Sequence, residues 1–210
     1  MWTEGCIRSM ERDLSSYFSW NSFKNPLFVF AMEQEASSYF STFKVLFTGL
    51  GKLNAAIALQ EALQHSNHDI VINLGTAGSK NFTRGAVVCC KGFIERDMNV
   101  EALGFKPFQT PFADPKEYLL PGLQVADLPS AICGTGDSFV AGEYPADFQL
   151  VDMEGYALAL VCHRKKLPLL SLKYISDGAD DSAAVQWSRE LPTASQELER
   201  IMSSIIGSQV

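Results

Sequence analysis

The stretch LVDMEGYALALVCHRKKLPLLSLKYISDGADD, residues 150–181, decides how this chain folds. It reads as the end of a strand, a helix, a second strand and an acidic turn. Tyr156, Leu158, Ala159, Leu160 and Val161 fill a helical segment that begins at Glu154 and runs out in the basic stretch His163 to Lys166. Acid at the start and base at the end both suit the helix dipole. Pro168 stops the helix and opens Leu169 to Ile175, an apolar run interrupted only by Ser171, Lys173 and Tyr174. Such a run predicts a strand buried on both faces of a parallel sheet. Glu154 and Asp177 then fall just past the ends of two neighbouring strands, at the edge of an α/β sheet where ligands bind.

Upstream, the same β-then-α alternation recurs. Leu27 to Ala31 predicts a short buried strand, Met32 to Phe40 a helix, and Phe43 to Thr48 a strand. Leu53 to Gln64 has strong helical propensity and an apolar stripe. Asp69 to Leu74 predicts another buried strand, closed by a turn at Gly75-Thr76-Ala77-Gly78, and Arg84 to Ile94 is rich in β formers. Arg96 to Pro121 is a long connection rich in Pro and Phe, of the kind that carries function in compact domains. Pro129 to Thr135 resumes a strand that ends in Gly136-Asp137-Ser138-Phe139, and Ala194 to Ile206 is an amphipathic closing helix. Residues 1–24 read as an N-terminal extension of unassigned role and residues 25–210 as a single three-layer α/β domain.

Composition excludes several classes of function. A net charge of −7 over 210 residues argues against a nucleic-acid partner. No apolar run reaches the length of a membrane span, and the first residues lack the layout of a signal peptide. Five cysteines without CxxC spacing point to free thiols and a cytoplasmic setting. His65 and His68 stand at ligand spacing but lack a third partner, so no metal is expected. Gly49-Leu50-Gly51-Lys52 is not a phosphate loop, because Leu46 replaces the first glycine and Leu53 the hydroxyl residue. A tight strand-to-helix turn accounts for it. Three carboxylates are the stronger lead. Glu35, Glu154 and Asp177 each follow a strand and converge on one sheet edge, supplying an acid, a base and a hydroxyl-binding group. Glycosidic cleavage through an oxocarbenium-like state needs such a set.

Six segments, in order, carry a resemblance to a known family: Ala31-Met32-Glu33-Gln34-Glu35, Gly49-Leu50-Gly51-Lys52-Leu53-Asn54-Ala55-Ala56, Asn73-Leu74-Gly75-Thr76-Ala77-Gly78, Gly136-Asp137-Ser138-Phe139, Asp152-Met153-Glu154-Gly155 and Ile175-Ser176-Asp177. They resemble the nucleoside phosphorylase/nucleosidase superfamily, and most of all its 5′-methylthioadenosine/S-adenosylhomocysteine nucleosidases. That resemblance implies an α/β/α sandwich around a central mixed β-sheet, with no cofactor. It implies that Asp177 protonates purine N7, beside Ser176, and that Glu35 positions or deprotonates the attacking water, with Thr76 nearby. A proton-donating carboxyl needs a raised pKa, so Asp177 is expected to be shielded from water. Glu154 is implied to bind the ribose hydroxyls and Met153 to pack beneath the sugar, with Phe139 stacking on the base and Val140 meeting its edge. Phe105 and Pro111 are implied to reach a neighbouring subunit's pocket, hence a homodimer. Related phosphorylases hold phosphate with arginines, one of them where Asn73 stands here, so water is the expected nucleophile. The alternatives are a phosphate-dependent purine nucleoside phosphorylase and a non-catalytic nucleoside binder. Three features depart from the pattern: a short segment from Glu35 to Gly49, Lys173-Tyr174 where Arg-Ala is usual, and the extension from Met1 to Lys24.

Overall fold

The computed structural model describes residues 18–113 and 119–207. The stretch that decides the fold forms β7 (Leu150–Asp152), α2 (Gly155–Lys165) and β8 (Leu169–Asp177). Before it come β1 (Pro26–Phe30), β2 (Lys44–Phe47), α1 (Lys52–Ala62), β3 (Ile70–Gly78), β4 (Val87–Glu95), β5 (Leu119–Pro121) and β6 (Ser130–Thr135); after it comes α3 (Ala183–Gly207).

One mixed sheet joins the strands. β1 lies between β2 and β3, parallel to both, and β3 runs parallel to β8. β8 meets β4 antiparallel, β4 meets β6 parallel, and β6 meets β7 parallel. The sheet curves until β7 returns to the end of β3 through the Gly78–Val151 pairing. β7 and β8 therefore flank β3 rather than each other, and this brings Glu154 and Asp177 to the same end of that strand.

The period of two along each strand sorts side chains into two cores. Leu27, Val29 and Val71 point to one side, where Ala55 and Leu59 of α1 and Tyr156 to Cys162 of α2 cover them. Phe28, Phe30, Ile70, Ile72, Leu170 and Leu172 point to the other side, under Ala194, Leu198 and Met202 of α3. The result is the expected three-layer sandwich. Cys89 and Cys90 fall on opposite faces, and the four described cysteines are free. Among the described residues no helix is long and apolar enough to cross a membrane. Phe18 stacks on Phe23, and Trp20 packs against Phe28 and Phe43, so the described end of the N-terminal segment joins the α3-side core. The remainder of that segment, residues 1–17, lies outside the described residues.

Three local expectations are corrected. Met32 to Phe40 is not a helix but two 3-10 turns, Glu33–Glu35 and Ser38–Thr42, parted by extended backbone at Ala36 and Ser37. The Glu35 side chain turns back to the backbone N–H groups of Ala31 and Met32 (3.2 and 3.3 Å), and Ser-Ser-Tyr-Phe gives a helix little support. Gly75-Thr76-Ala77-Gly78 is not a turn, because β3 continues through it, paired to β8. The closing helix begins at Ala183, well before Ala194, and runs through Pro192. Proline removes a backbone N–H donor, yet the structure keeps the helix on both sides of Pro192.

Candidate active site

Asp177 is the last residue of β8, where the register against β3 shifts between Ala77 and Gly78. A Cβ at Gly78 would lie 2.6 Å from Asp177 Oδ1, so only glycine lets the carboxyl sit there. Oδ1 accepts the Ala179 N–H (3.0 Å), and Ser176 Oγ donates to Oδ2 (2.7 Å). Asp177 is buried, and burial raises its pKa above the usual carboxylate value against the pull of those two hydrogen bonds. The shielding expected of a proton donor is present.

β7 delivers two acids with different fates. Asp152 accepts hydrogen bonds from Thr135 Oγ1 (2.6 Å) and the Gly155 N–H (2.9 Å), and it pairs with buried Lys173 (2.9 Å). Burial pushes this carboxyl up, but the lysine and the hydrogen bonds together hold it below its ordinary value. Burial disfavours the Lys173 ammonium too, and Asp152 keeps it charged. Glu154, at the N-terminus of α2, has no such cation of its own. Its Oε1 accepts the Gly51 N–H (2.8 Å), while burial and then the Asp152 charge drive its pKa up to about 7.

The Gly51 N–H reaches Glu154 because the loop after β2 places Gly49 and Gly51 at φ 78° and 91°, in the left-handed half of backbone space where glycine is favoured. Lys52 turns the other way, to Glu95 (2.7 Å) and Asp97 (2.6 Å). This is the strand-to-helix turn read from the sequence, with its lysine already paired.

Glu35 is buried at the far side of β3. Its Oε2 accepts the N–H groups of Ala31 and Met32, and its Oε1 accepts the N–H and the hydroxyl of Thr76 (3.1 Å each). A Cβ at Gly75 would come within 3.2 Å of the same oxygen, so the strand glycine makes room for the acid.

A cavity of about 320 Å³ unites these groups. Glu35, Thr76, Glu154, Ser176 and Asp177 line it, as do Met153, Phe139 and Val140. Eight of the residues singled out in the sequence thus share one space. Phe105 and Pro111 do not line it; Phe105 meets Phe112 edge to face, and Phe112 is almost fully exposed. Asn73 also lies off the cavity. Its Nδ2 donates to Val29 O (3.1 Å) and its Oδ1 accepts from Ser171 (2.8 Å), so both ends of its amide are engaged inside the sheet. His65 is exposed and His68 contacts Asn25 O (3.0 Å). Among the described residues no cluster of His, Cys, Asp and Glu could hold a metal.

Two cavity residues escaped the sequence reading. Arg96, just after β4, donates to Ser138 Oγ (3.1 Å), to Gly136 O (3.1 Å) and to Ser138 O. Its signal was the charged triplet Glu95-Arg96-Asp97 at a strand end. Trp187, on the first part of α3, donates its indole N–H to Thr76 Oγ1 (3.0 Å). Its only signal was a bulky aromatic in a stretch the sequence left without an assigned element.

The model of the phosphorylase superfamily matches residues 41–207. A 5′-methylthioadenosine/S-adenosylhomocysteine nucleosidase of Haemophilus influenzae (strain PittEE) is 32% identical over 184 residues, covering 77% of this chain and 80% of the relative. Among solved structures, the Helicobacter pylori nucleosidase of the same name, bound to butyl-thio-DADMe-Immucillin-A, superposes with a TM-score of 0.79 at 15% identity, covering 89% of this chain and 99% of that one. The futalosine hydrolase of Helicobacter pylori strain 26695 gives 0.78 at 16% identity, over 90% and 99% of the two chains. At those identities the structures speak for the fold.

Proposed function

This chain belongs to the phosphorylase superfamily, alongside the 5′-methylthioadenosine/S-adenosylhomocysteine nucleosidases, and from that membership we propose that it hydrolyses the N-glycosidic bond of an adenine nucleoside of that kind. The products are adenine and the 5′-substituted ribose. Asp177 gives its proton to purine N7, the bond from the sugar C1′ to N9 breaks, and the electron pair stays with the base. Water then adds to C1′ and passes a proton to Glu35. Glu154 holds the ribose hydroxyls over Met153, Phe139 stacks on the base and Val140 meets its edge. Ser176 orients Asp177. No cofactor takes part.

The observation that carries this reading is the buried Asp177 carboxyl with its raised pKa, facing the same cavity as Glu35 and Glu154. Protonating the leaving group is worth roughly a hundred- to ten-thousandfold in such reactions. Water rather than phosphate is favoured by the state of the nearby cations. Lys173 is paired with Asp152 and Lys52 with Glu95 and Asp97, while the terminal nitrogens of Arg96 donate to Gly136 and Ser138 and only its Nε is unpaired among the described residues. Phosphate binding calls for free bidentate donors.

A homodimer fits the surface. Leu53 and Ile57, one turn apart on α1, are largely exposed, as are Leu103 and Phe112 in the long connection. Phe105 and Pro111 lie in that same connection and on this reading complete the partner's pocket. A cytoplasmic setting accords with the free buried thiols of the described residues, and a role in methionine salvage, served by one domain over residues 25–210, goes with the proposed reaction.

Chromatographic detection of free base tests the proposal, with methylthioadenosine, S-adenosylhomocysteine, adenosine, inosine and AMP each incubated with and without phosphate. Phosphate-independent release of adenine is expected. Release only with phosphate would make the chain a phosphorylase, and binding without release would make it a nucleoside binder.

A further inference from the structure

Glu35 presents a difficulty for any reaction that hands it a proton. A carboxylate has about four lone-pair sites. Here all are engaged, two by Ala31 and Met32 and two by Thr76. Three of these donors are backbone N–H groups fixed by β3 and by the turn after β1. The fourth, the Thr76 hydroxyl, is the one donor that can rotate. Trp187 governs that rotation, because its indole N–H donates to Thr76 Oγ1 (3.0 Å) and repels any hydroxyl orientation that turns its hydrogen toward the indole. The Thr76 proton is thereby aimed at Glu35 Oε1 (3.1 Å).

The indole is held firmly enough for this task. One turn further along α3, Glu190 accepts a hydrogen bond from Tyr174 of β8 (2.5 Å). Immediately before the tryptophan, Gln186 Oε1 accepts the N–H of Gly178, the residue after Asp177 (3.1 Å). Adjacent residues of one helix thus reach the acid side and the base side of the cavity. Tyr174 is one of the positions at which this sequence departs from the pattern it resembles.

We propose that Trp187 is a positioning residue that acts through Thr76 on Glu35, holding the threonine hydroxyl as the single releasable donor to the water-activating carboxylate. When water enters, the hydroxyl swings from Glu35, frees one lone pair for the water proton, and keeps its own acceptor bond to the indole. The inference rests on the hydrolytic reading of the same pocket.

A double-mutant cycle on the full chain tests it with Trp187→Phe, Thr76→Val and both together, beside Thr76→Ser. The steady-state readout is the separation of kcat from KM for base release. Trp187→Phe is expected to lower kcat about tenfold, the worth of one buried hydrogen bond, with KM changed less than about twofold. In the Thr76→Val background the same change should cost less than about twofold, whereas in the Thr76→Ser background the full effect should persist. Equal cost in every background, or an effect confined to KM, would overturn the proposal in favour of simple packing against substrate. The indole N–H resonance of Trp187, assigned by its loss in Trp187→Phe, gives a readout independent of turnover. It should shift in Thr76→Val and stay in place in Thr76→Ser; an unmoved resonance in Thr76→Val overturns the relay. If Trp187→Phe fails to fold, the two threonine variants decide through the one indole signal that responds to them. If the wild type releases no base from any nucleoside, the hydrolytic reading fails, and the resonance alone then judges the Trp187–Thr76 contact.

Discussion

Asp152 and Glu154 leave the same strand two residues apart, and both are buried, yet they meet opposite surroundings. Asp152 is bolted to Lys173, Thr135 and the start of α2, and its carboxyl is held below the usual range. Glu154 faces the cavity with one backbone N–H for support, and its pKa rises to about 7. Both acids line the cavity, but Lys173 pairs directly with Asp152 alone, and its longer-range attraction for Glu154 does not offset burial. Burial alone does not mark a working carboxylate, because both acids are buried. The absence of a direct ion pair separates Glu154 from Asp152.

The largest effect should come from breaking the bolt. Lys173→Met leaves Asp152 buried without its partner, and a stability loss of about 3–5 kcal/mol is expected in urea unfolding. Combining it with Asp152→Asn should recover much of that loss, because the uncompensated charge is then gone. A loss below about 1 kcal/mol would erase the distinction between the two acids.

Glu154→Gln probes the other side. The folded-state pKa of Glu154 lies above its ordinary value of 4.5, so its stabilising contribution is full below about pH 4.5 and disappears as pH rises through about 7. The variant lacks this titration. Its unfolding free energy relative to wild type should therefore climb between those pH values, by on the order of 2 kcal/mol. A flat difference across that window would mean that Glu154 is no less well supported than Asp152.

The smallest effect sharpens the comparison at the only hydrogen bond described to the Glu154 carboxylate. Gly51 sits at φ 91°, and a Cβ there would lie 3.0 Å from Asp137 Oδ1. Gly51→Ala should cost about 1–2 kcal/mol in thermal unfolding. By displacing the N–H from Glu154 it should also raise KM for nucleoside more than it lowers kcat.

Much of this was legible in the sequence, for a physical reason. Strands buried on both faces write themselves as apolar runs, so Leu169 to Ile175 disclosed the sheet and Asp177 its edge. Asp152-Met153-Glu154-Gly155 was readable as part of the resembled motif, with Glu154 at the acidic start of a helix. The Glu35 turn was not readable. Its backbone follows the hydrogen bonds of its own side chain to Ala31, Met32 and Thr76, and Thr76 is distant in sequence. Trp187 was hidden because the sequence reading assigned no element between the acidic turn and Ala194, where α3 in fact already runs from Ala183. Lys173 stood out as a polar interruption in an apolar strand and as a departure from the resembled pattern, but its partner Asp152 belongs to a strand that does not pair with β8.

The central claim is that a buried, proton-bearing Asp177 drives loss of the base to water. Its most direct test is adenine release from methylthioadenosine in phosphate-free buffer by wild type and Asp177→Asn, with thermal unfolding of both proteins measured alongside. The account predicts release by the wild type and a rate at least about a hundredfold lower in the variant, whose melting temperature stays close to that of the wild type. Release by a folded Asp177→Asn at a rate near that of the wild type would contradict it.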